Sequence, residues 1–268
     1  MRAVTSILCL LVSLAVLVTS CARPVHHGSV AGSSAPRPGS SVQRLSDPEN
    51  PAPDPRVGAI FRGTAREGGN LHVCTGSVVH SAGGDLVLTA AHCLLGELDA
   101  TFVPGFAGEA TTTDTFTVDE VFFDARWVAS RDPQADYAIA KVRGTGSVEG
   151  RAGAALTLGT APPAGSRVSV TGYPAGVGGR PVACQGTTSV TEDGFPSLPC
   201  QGLVDGTSGA PWMSGSTVVG VVGGFEGGGC TENISYSAPF DERTAQLLAR
   251  AQAGGPGDSP PADYDDTC

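Results

Sequence analysis

The sequence predicts an all-β fold, and three observations point there. From Val57 onward, short apolar runs recur between turn-forming residues. Glycine (38) and proline (20) are abundant among 268 residues, and only 16% of the chain is charged. Helical periodicity is sustained in one stretch alone, near the C-terminal end.

The elements follow in order. Leu71 to Val79 reads as a strand around Cys74-Thr75-Gly76-Ser77. Asp85 to Thr89 is a buried strand that delivers His92 just past its end. Thr115 to Phe123 alternates apolar Phe116, Val118, Val121 and Phe123 with polar positions. Asp136 to Val142 alternates apolar and small residues. Glycine and charge then replace the strand pattern between Gly144 and Gly153, which marks a boundary between two halves. Tyr173-Pro174 marks a turn after the strand Ser166 to Val170, and Val218 to Val222 is a continuous apolar strand. Asp241 to Gln252 reads as a helix, with Ala245, Leu248 and Ala249 on one face and Leu247 beside them.

The N-terminal region has a different character. Arg2 precedes an apolar run from Ile7 to Val18, too short for a membrane span of about 20 residues but suited to a signal peptide over residues 1–20. The run ends in Val18-Thr19-Ser20-Cys21, which resembles a bacterial lipobox. That resemblance implies a lipid on Cys21 and a membrane anchor; the alternative is ordinary cleavage near Ala22 with Cys21 lost. Residues 21–56 read as a linker, because residues 22–56 hold seven prolines, six serines and three glycines. The histidine pair His26 and His27 lacks partnering ligands nearby, so no metal is expected. Residues 253–268 form an acidic tail with Asp258, Asp263, Asp265 and Asp266 and no basic residue, expected to be largely solvated. A net charge of −10 argues against a nucleic-acid partner.

Three short strings carry the chemistry. Thr89-Ala90-Ala91-His92-Cys93, Asp136-Tyr137-Ala138-Ile139-Ala140 and Gly206-Thr207-Ser208-Gly209-Ala210-Pro211 supply a histidine, an aspartate and a serine, in that order. A serine hydroxyl is a poor nucleophile at neutral pH and needs an imidazole to take its proton. A buried carboxylate must hold that imidazole in one tautomer, and backbone N–H groups must meet the oxyanion that develops on the substrate.

With these flanking residues, the chain resembles the trypsin/chymotrypsin-like serine proteases, in particular the compact bacterial secreted branch. The resemblance implies two six-stranded antiparallel barrels, over about 57–145 and 153–240 of a domain spanning 57–252. His92 and Asp136 would come from the first barrel and Ser208 from the second, with the helix packed on the second. Asp132 and Asp124 lie near in sequence, but the strand after Asp136 matches the family pattern. The N–H groups of Gly206 and Ser208 would form the oxyanion hole. The resemblance also implies a Cys74–Cys93 bridge. The other four cysteines pair as Cys184–Cys200 with Cys230–Cys268, or as Cys200–Cys230 with Cys184–Cys268.

Departures from the family matter too. Thr207 stands where the animal enzymes place an aspartate that pairs with a newly cut N-terminus, so that activation switch is not expected. Gly202 stands where trypsin-type enzymes place the carboxylate of the substrate pocket, so a preference for small or apolar residues is expected. Gly202, Gly223, Gly224 and Phe225 are the expected pocket residues, with Val222 replacing the histidine of glutamate-specific relatives. Glu226 could reach the pocket, and Asp205 is an unusual neighbour of the nucleophile. His72 and His80 are expected at the surface, and Trp212 in the core beneath the nucleophile loop.

The expected function is a lipid-anchored, extracytoplasmic serine endopeptidase, monomeric and without cofactor, acting on protein or peptide substrates. A catalytically silent binding protein on the same fold, or an esterase using the same triad, are the alternatives.

Overall fold

The computed structural model describes residues 50–63, 72–96, 99–175, 179–229 and 233–262. The expected signal peptide, Cys21, most of the linker, Cys230 and Cys268 lie outside the described residues. No helix among the described residues is long and apolar enough to cross a membrane.

The first half is a closed six-stranded barrel. Its strands are β1 (Val57–Arg62), β2 (His72–Val79), β3 (Leu86–Thr89), β4 (Ala100–Pro104), β5 (Phe116–Phe123) and β6 (Ala138–Arg143). They pair in the order β1-β2-β3-β6-β5-β4, and β1 closes the ring by pairing with both β2 and β4. Period-2 alternation sorts the side chains. Val87, Ala138 and Ala140 point into the barrel with Phe102, Phe116 and Trp127, while Leu86, Leu88 and Ile139 point outward. The outward set is also buried, against Tyr173, Met213, Val218 and Val221 of the second half. Both faces of β3 are therefore apolar, which explains its continuous Leu-Val-Leu run.

The second half pairs as two sheets among the described residues. Its strands are β7 (Thr157–Leu158), β8 (Arg167–Gly172), β9 (Val182–Thr187), β10 (Ser189–Val190), β11 (Pro196–Pro199), β12 (Pro211–Ser214), β13 (Thr217–Val221) and β14 (Ile234–Tyr236). They form a five-stranded sheet, β7-β13-β12-β8-β9, and a three-stranded sheet, β10-β11-β14. The first and last residues of β11 are prolines, which have no N–H to extend a ladder. A disulfide, Cys184–Cys200, joins the two sheets across the gap, and Trp212 is fully buried in the core they share.

Among the described residues there are also three α-helices: α1 (Ala125–Ser130), α2 (Val148–Ala152) between the halves, and α3 (Glu242–Ala253). A capping box starts α3: the Asp241 carboxylate accepts from the Arg243 amide, and the Thr244 hydroxyl accepts from the Asp241 amide. Its buried face is Thr244, Leu247 and Ala251 rather than the expected Ala245, Leu248 and Ala249. The box turns Thr244 inward, and the positions three and seven further on follow it. The helix packs on β5 and β6 of the first barrel, and Leu247 and Ala251 join the core that the two halves share. Arg250 donates to the Phe123 carbonyl at 2.8 Å and lies over the Phe122 ring.

Beyond α3 the chain is exposed at Gly254 to Pro256, as expected of a solvated tail, and is anchored at Asp258 and Pro261. Asp258 accepts from the Phe123 amide, pairs with Arg250 and donates its own amide to the Val121 carbonyl. Pro261 is buried, and its carbonyl accepts from the Gly96 amide at 2.9 Å. Residues 54–56 of the expected linker are likewise docked: Arg56 pairs with Asp54, and its carbonyl accepts from the Val78 amide.

Candidate active site

The β3/β6 pairing places two of the predicted residues. Thr89 lies opposite Ala138 at the end of this antiparallel pair. His92, three residues past Thr89, and Asp136, two residues before Ala138, therefore emerge at the same rim. His92 sits in a 3-10 turn, Ala91–Cys93, which the Cys74–Cys93 disulfide ties back to β2. Cys74, Cys93 and His92 also group closely enough to suggest metal ligands, but both sulfurs are committed to that bridge.

Asp136 is completely buried and accepts three hydrogen bonds. Oδ1 takes the His92 amide at 3.0 Å; Oδ2 takes His92 Nδ1 at 2.8 Å and the Gly224 amide at 2.8 Å. Burial alone would raise its pKa. The charge and N–H of the His92 ring and the two backbone amides outweigh that and hold the carboxyl below its usual range. The bond fixes the proton on Nδ1, which leaves Nε2 unprotonated and able to accept a proton. Neither alternative aspartate reaches His92. Asp124 caps α1, pairs with Arg126 and accepts from the Tyr137 hydroxyl, and its pKa is lowered to about 2 despite burial. Asp132 caps the short 3-10 turn at Pro133–Ala135.

The segment from Asp205 to Gly209 is pinned at every peptide. The Asp205 carbonyl accepts from Ala175, the Gly206 carbonyl from the Thr75 hydroxyl, the Thr207 carbonyl from Ala210, and the Ser208 carbonyl from the Thr75 amide. The Thr207 amide donates to the Val204 carbonyl, and the Gly209 amide to the Val222 carbonyl. The amides of Gly206 and Ser208 have no acceptor among the described residues. In a trans peptide the N–H points opposite to the C=O. Holding the carbonyls of residues 205 and 207 inward thus turns the next two N–H groups outward. Gly206 has φ +89°, a left-handed conformation that glycine adopts without strain. Gly209 has φ +80°, and a Cβ there would collide with the Thr89 hydroxyl and the Thr75 carbonyl.

Thr75 was not singled out by sequence reasoning, and it ties the two halves together. Its hydroxyl donates to Gly206 O at 3.0 Å and accepts from the Tyr173 amide at 2.9 Å. The Thr89 hydroxyl donates to the Thr75 carbonyl at 2.7 Å. Only its position beside Cys74 hinted at a role.

His92 and Ser208 line one cavity of about 280 Å³, together with Arg62, Leu95, Asp205 and Gly206. A second, about 40 Å³, adjoins Ser208 on the other side. The expected pocket residues do not line it; Leu203, Val204, Thr207, Val222 and Gly227 to Gly229 do, with Asp205 and Glu226 at its rim. Gly223 and Gly224 serve Asp136 instead. A Cβ on Gly223 would lie 2.9 Å from Asp136 Oδ2, and Gly224 donates to that oxygen. The Phe225 ring packs against Phe195 and Tyr236. Gly202 makes a turn with φ +79°. Thr207 is buried with its hydroxyl on the Val204 carbonyl at 2.7 Å. His80 is exposed as expected, but His72 is buried among Phe61, Phe106 and Tyr173, neither ring nitrogen having a partner.

Residues 74–222 match the family described as the trypsin-like peptidase domain. Among solved structures, a thermostable serine protease, AL20, from an extremophilic microorganism is 26% identical, with a TM-score of 0.64 over 76% of this chain and all of that one. The protease Anisep from Arthrobacter nicotinovorans is 23% identical, with a TM-score of 0.65 over 78% of this chain and all of that one. Human heparin binding protein shares the fold at 18% identity, with a TM-score of 0.62 over 80% and 99% of the two chains. No curated protein sequence matches the chain.

Proposed function

The chain belongs to the trypsin-like peptidase family, and on that footing we propose that it is a serine endopeptidase working through an acyl-enzyme. Ser208 Oγ attacks the scissile carbonyl while His92 Nε2 takes its proton. Asp136 keeps the His92 proton on Nδ1 and stabilises the imidazolium. The Gly206 and Ser208 amides receive the developing oxyanion. His92 passes its proton to the leaving amine, and the acyl group stays on Ser208. Water then attacks the ester, His92 accepting a proton and returning it to Ser208. The observation that carries this reading is the peptide-by-peptide pinning of residues 205–209, which leaves those two amides, and not the one between them, available.

The small cavity beside Ser208 suits a small apolar side chain, since about 40 Å³ leaves no room for an arginine. Thr207 is satisfied locally by Val204, so activity needs no cut near Val57. The signal-like N-terminus and the disulfides support an extracytoplasmic location, with a lipid on Cys21 and a Cys230–Cys268 bridge as parts of the same reading.

A fluorophosphonate probe tests the core of it. The uncut folded chain is expected to be labelled, and the Ser208→Ala variant not. A folded parent that resists labelling would sink the proposal in favour of a binding protein.

A further inference from the structure

The small cavity and the larger one meet at Asp205, which lines both. Its backbone is held by the Ala175 amide on its carbonyl, while the carboxylate is solvent-exposed and has no partner among the described residues. Across the small cavity stands Glu226, also exposed. Its charge reaches inward far enough to help raise the Tyr236 phenol, after burial. Among the described residues no basic side chain lines that cavity. On the far side of Asp205 the larger cavity has one cation, Arg62, and Asp99 lies beyond it in the adjoining hollow.

A peptide lying over Ser208 with a small residue in the 40 Å³ cavity therefore carries its neighbouring side chains past two carboxylates. We propose that the cleft selects polypeptides in which lysine or arginine flanks a small residue at the scissile bond, with Asp205 and Glu226 as the specificity-determining groups. This rests on Ser208 being the nucleophile. The cations bind at the rim and not in the cavity, so the preference comes from fields through water. It is strong at low ionic strength and fades as the screening length falls from about 10 Å at 0.1 M salt to about 3 Å at 1 M. Rim charges of this kind act chiefly on encounter and salt dependence.

The test uses the Ser208→Ala chain and two fluorescent peptides that differ only in lysine or glutamate on both sides of one alanine. Binding is read by anisotropy, so turnover is not required. The lysine peptide is expected to bind about tenfold tighter at low salt, the difference shrinking at high salt. In the Asp205→Asn/Glu226→Gln background the difference is expected to disappear. Equal binding of the two peptides, or a preference that survives the double substitution, overturns the proposal. Labelling of the parent by the fluorophosphonate is scored separately, so a failure of the nucleophile assignment stays distinguishable from a failure of this one.

Discussion

Replacing Thr75 with valine probes the link between the halves. Valine keeps the shape of threonine and removes only the hydroxyl, so no cavity opens. Two buried groups lose their partner at once: the Gly206 carbonyl, 3.0 Å away, and the Tyr173 amide, 2.9 Å away. Each such loss costs about 1–3 kcal/mol, so the substitution should destabilise the fold by about 2–6 kcal/mol. It also removes one of the two bonds that hold the Gly206–Thr207 peptide, which lies between the two amides assigned to the oxyanion. Losing one oxyanion donor outright costs about 10²–10³ in kcat, and a loosened one is expected to cost about 10². Urea denaturation gives the stability, and turnover of a chromogenic peptide anilide gives kcat. Thr75→Ser should restore both, and Thr89→Val, which loses one bond to the Thr75 carbonyl, should lower stability with little effect on turnover. A folded Thr75→Val enzyme with parental kcat would refute the reasoning that this hydroxyl holds the oxyanion loop in place.

Two further outcomes follow from the same geometry. Asp136→Asn should lower kcat by about 10⁴-fold, because a carboxamide neither fixes the His92 tautomer nor balances the imidazolium; Asp124→Asn and Asp132→Asn should leave kcat near parental in the same anilide assay. Burial holds the His72 pKa below its usual 6.5, so below that pH the unfolded chain binds a proton that the native state refuses. Stability should then fall as pH drops through 6.5, by at most about 1.4 kcal/mol per pH unit from this residue. His72→Phe should flatten the slope of urea-unfolding free energy between pH 6.5 and 5, and an unchanged slope would show that other groups carry the acid sensitivity.

The parts legible from sequence are those set by local pattern. The continuous apolar run before Thr89 and the alternation after Asp136 each mark a strand, and the pairing of those two strands brings His92 to Asp136. The parts that were not legible depend on distant neighbours. Thr75 is an unremarked strand residue until Gly206, 131 positions later, is laid against it. His72 looks like a surface residue until Phe61, Phe106 and Tyr173 enclose it. The face of α3 was misread because alanine at 245 suits either side of a helix, whereas the capping box commits Thr244 to the inside. Gly223 and Gly224 read as an open pocket wall in sequence, whereas a Cβ on Gly223 would press on Asp136 and one on Gly224 on the Ala238 backbone.

The docking of Asp258 and Pro261 on the first barrel bears on the order in which that barrel is assembled. The barrel that carries His92 and Asp136 is made of early residues, yet part of its outer wall, along Val121 and Phe123, is completed by Asp258 and α3. A growing or translocating chain has both catalytic side chains long before it has that wall. The residues that follow α3 come back across the molecule and seat against Gly96, three positions past the Cys93 bridge. The wall behind His92 and Asp136 therefore closes only after Asp258 and Pro261 have been made, so order of synthesis sets the order of assembly.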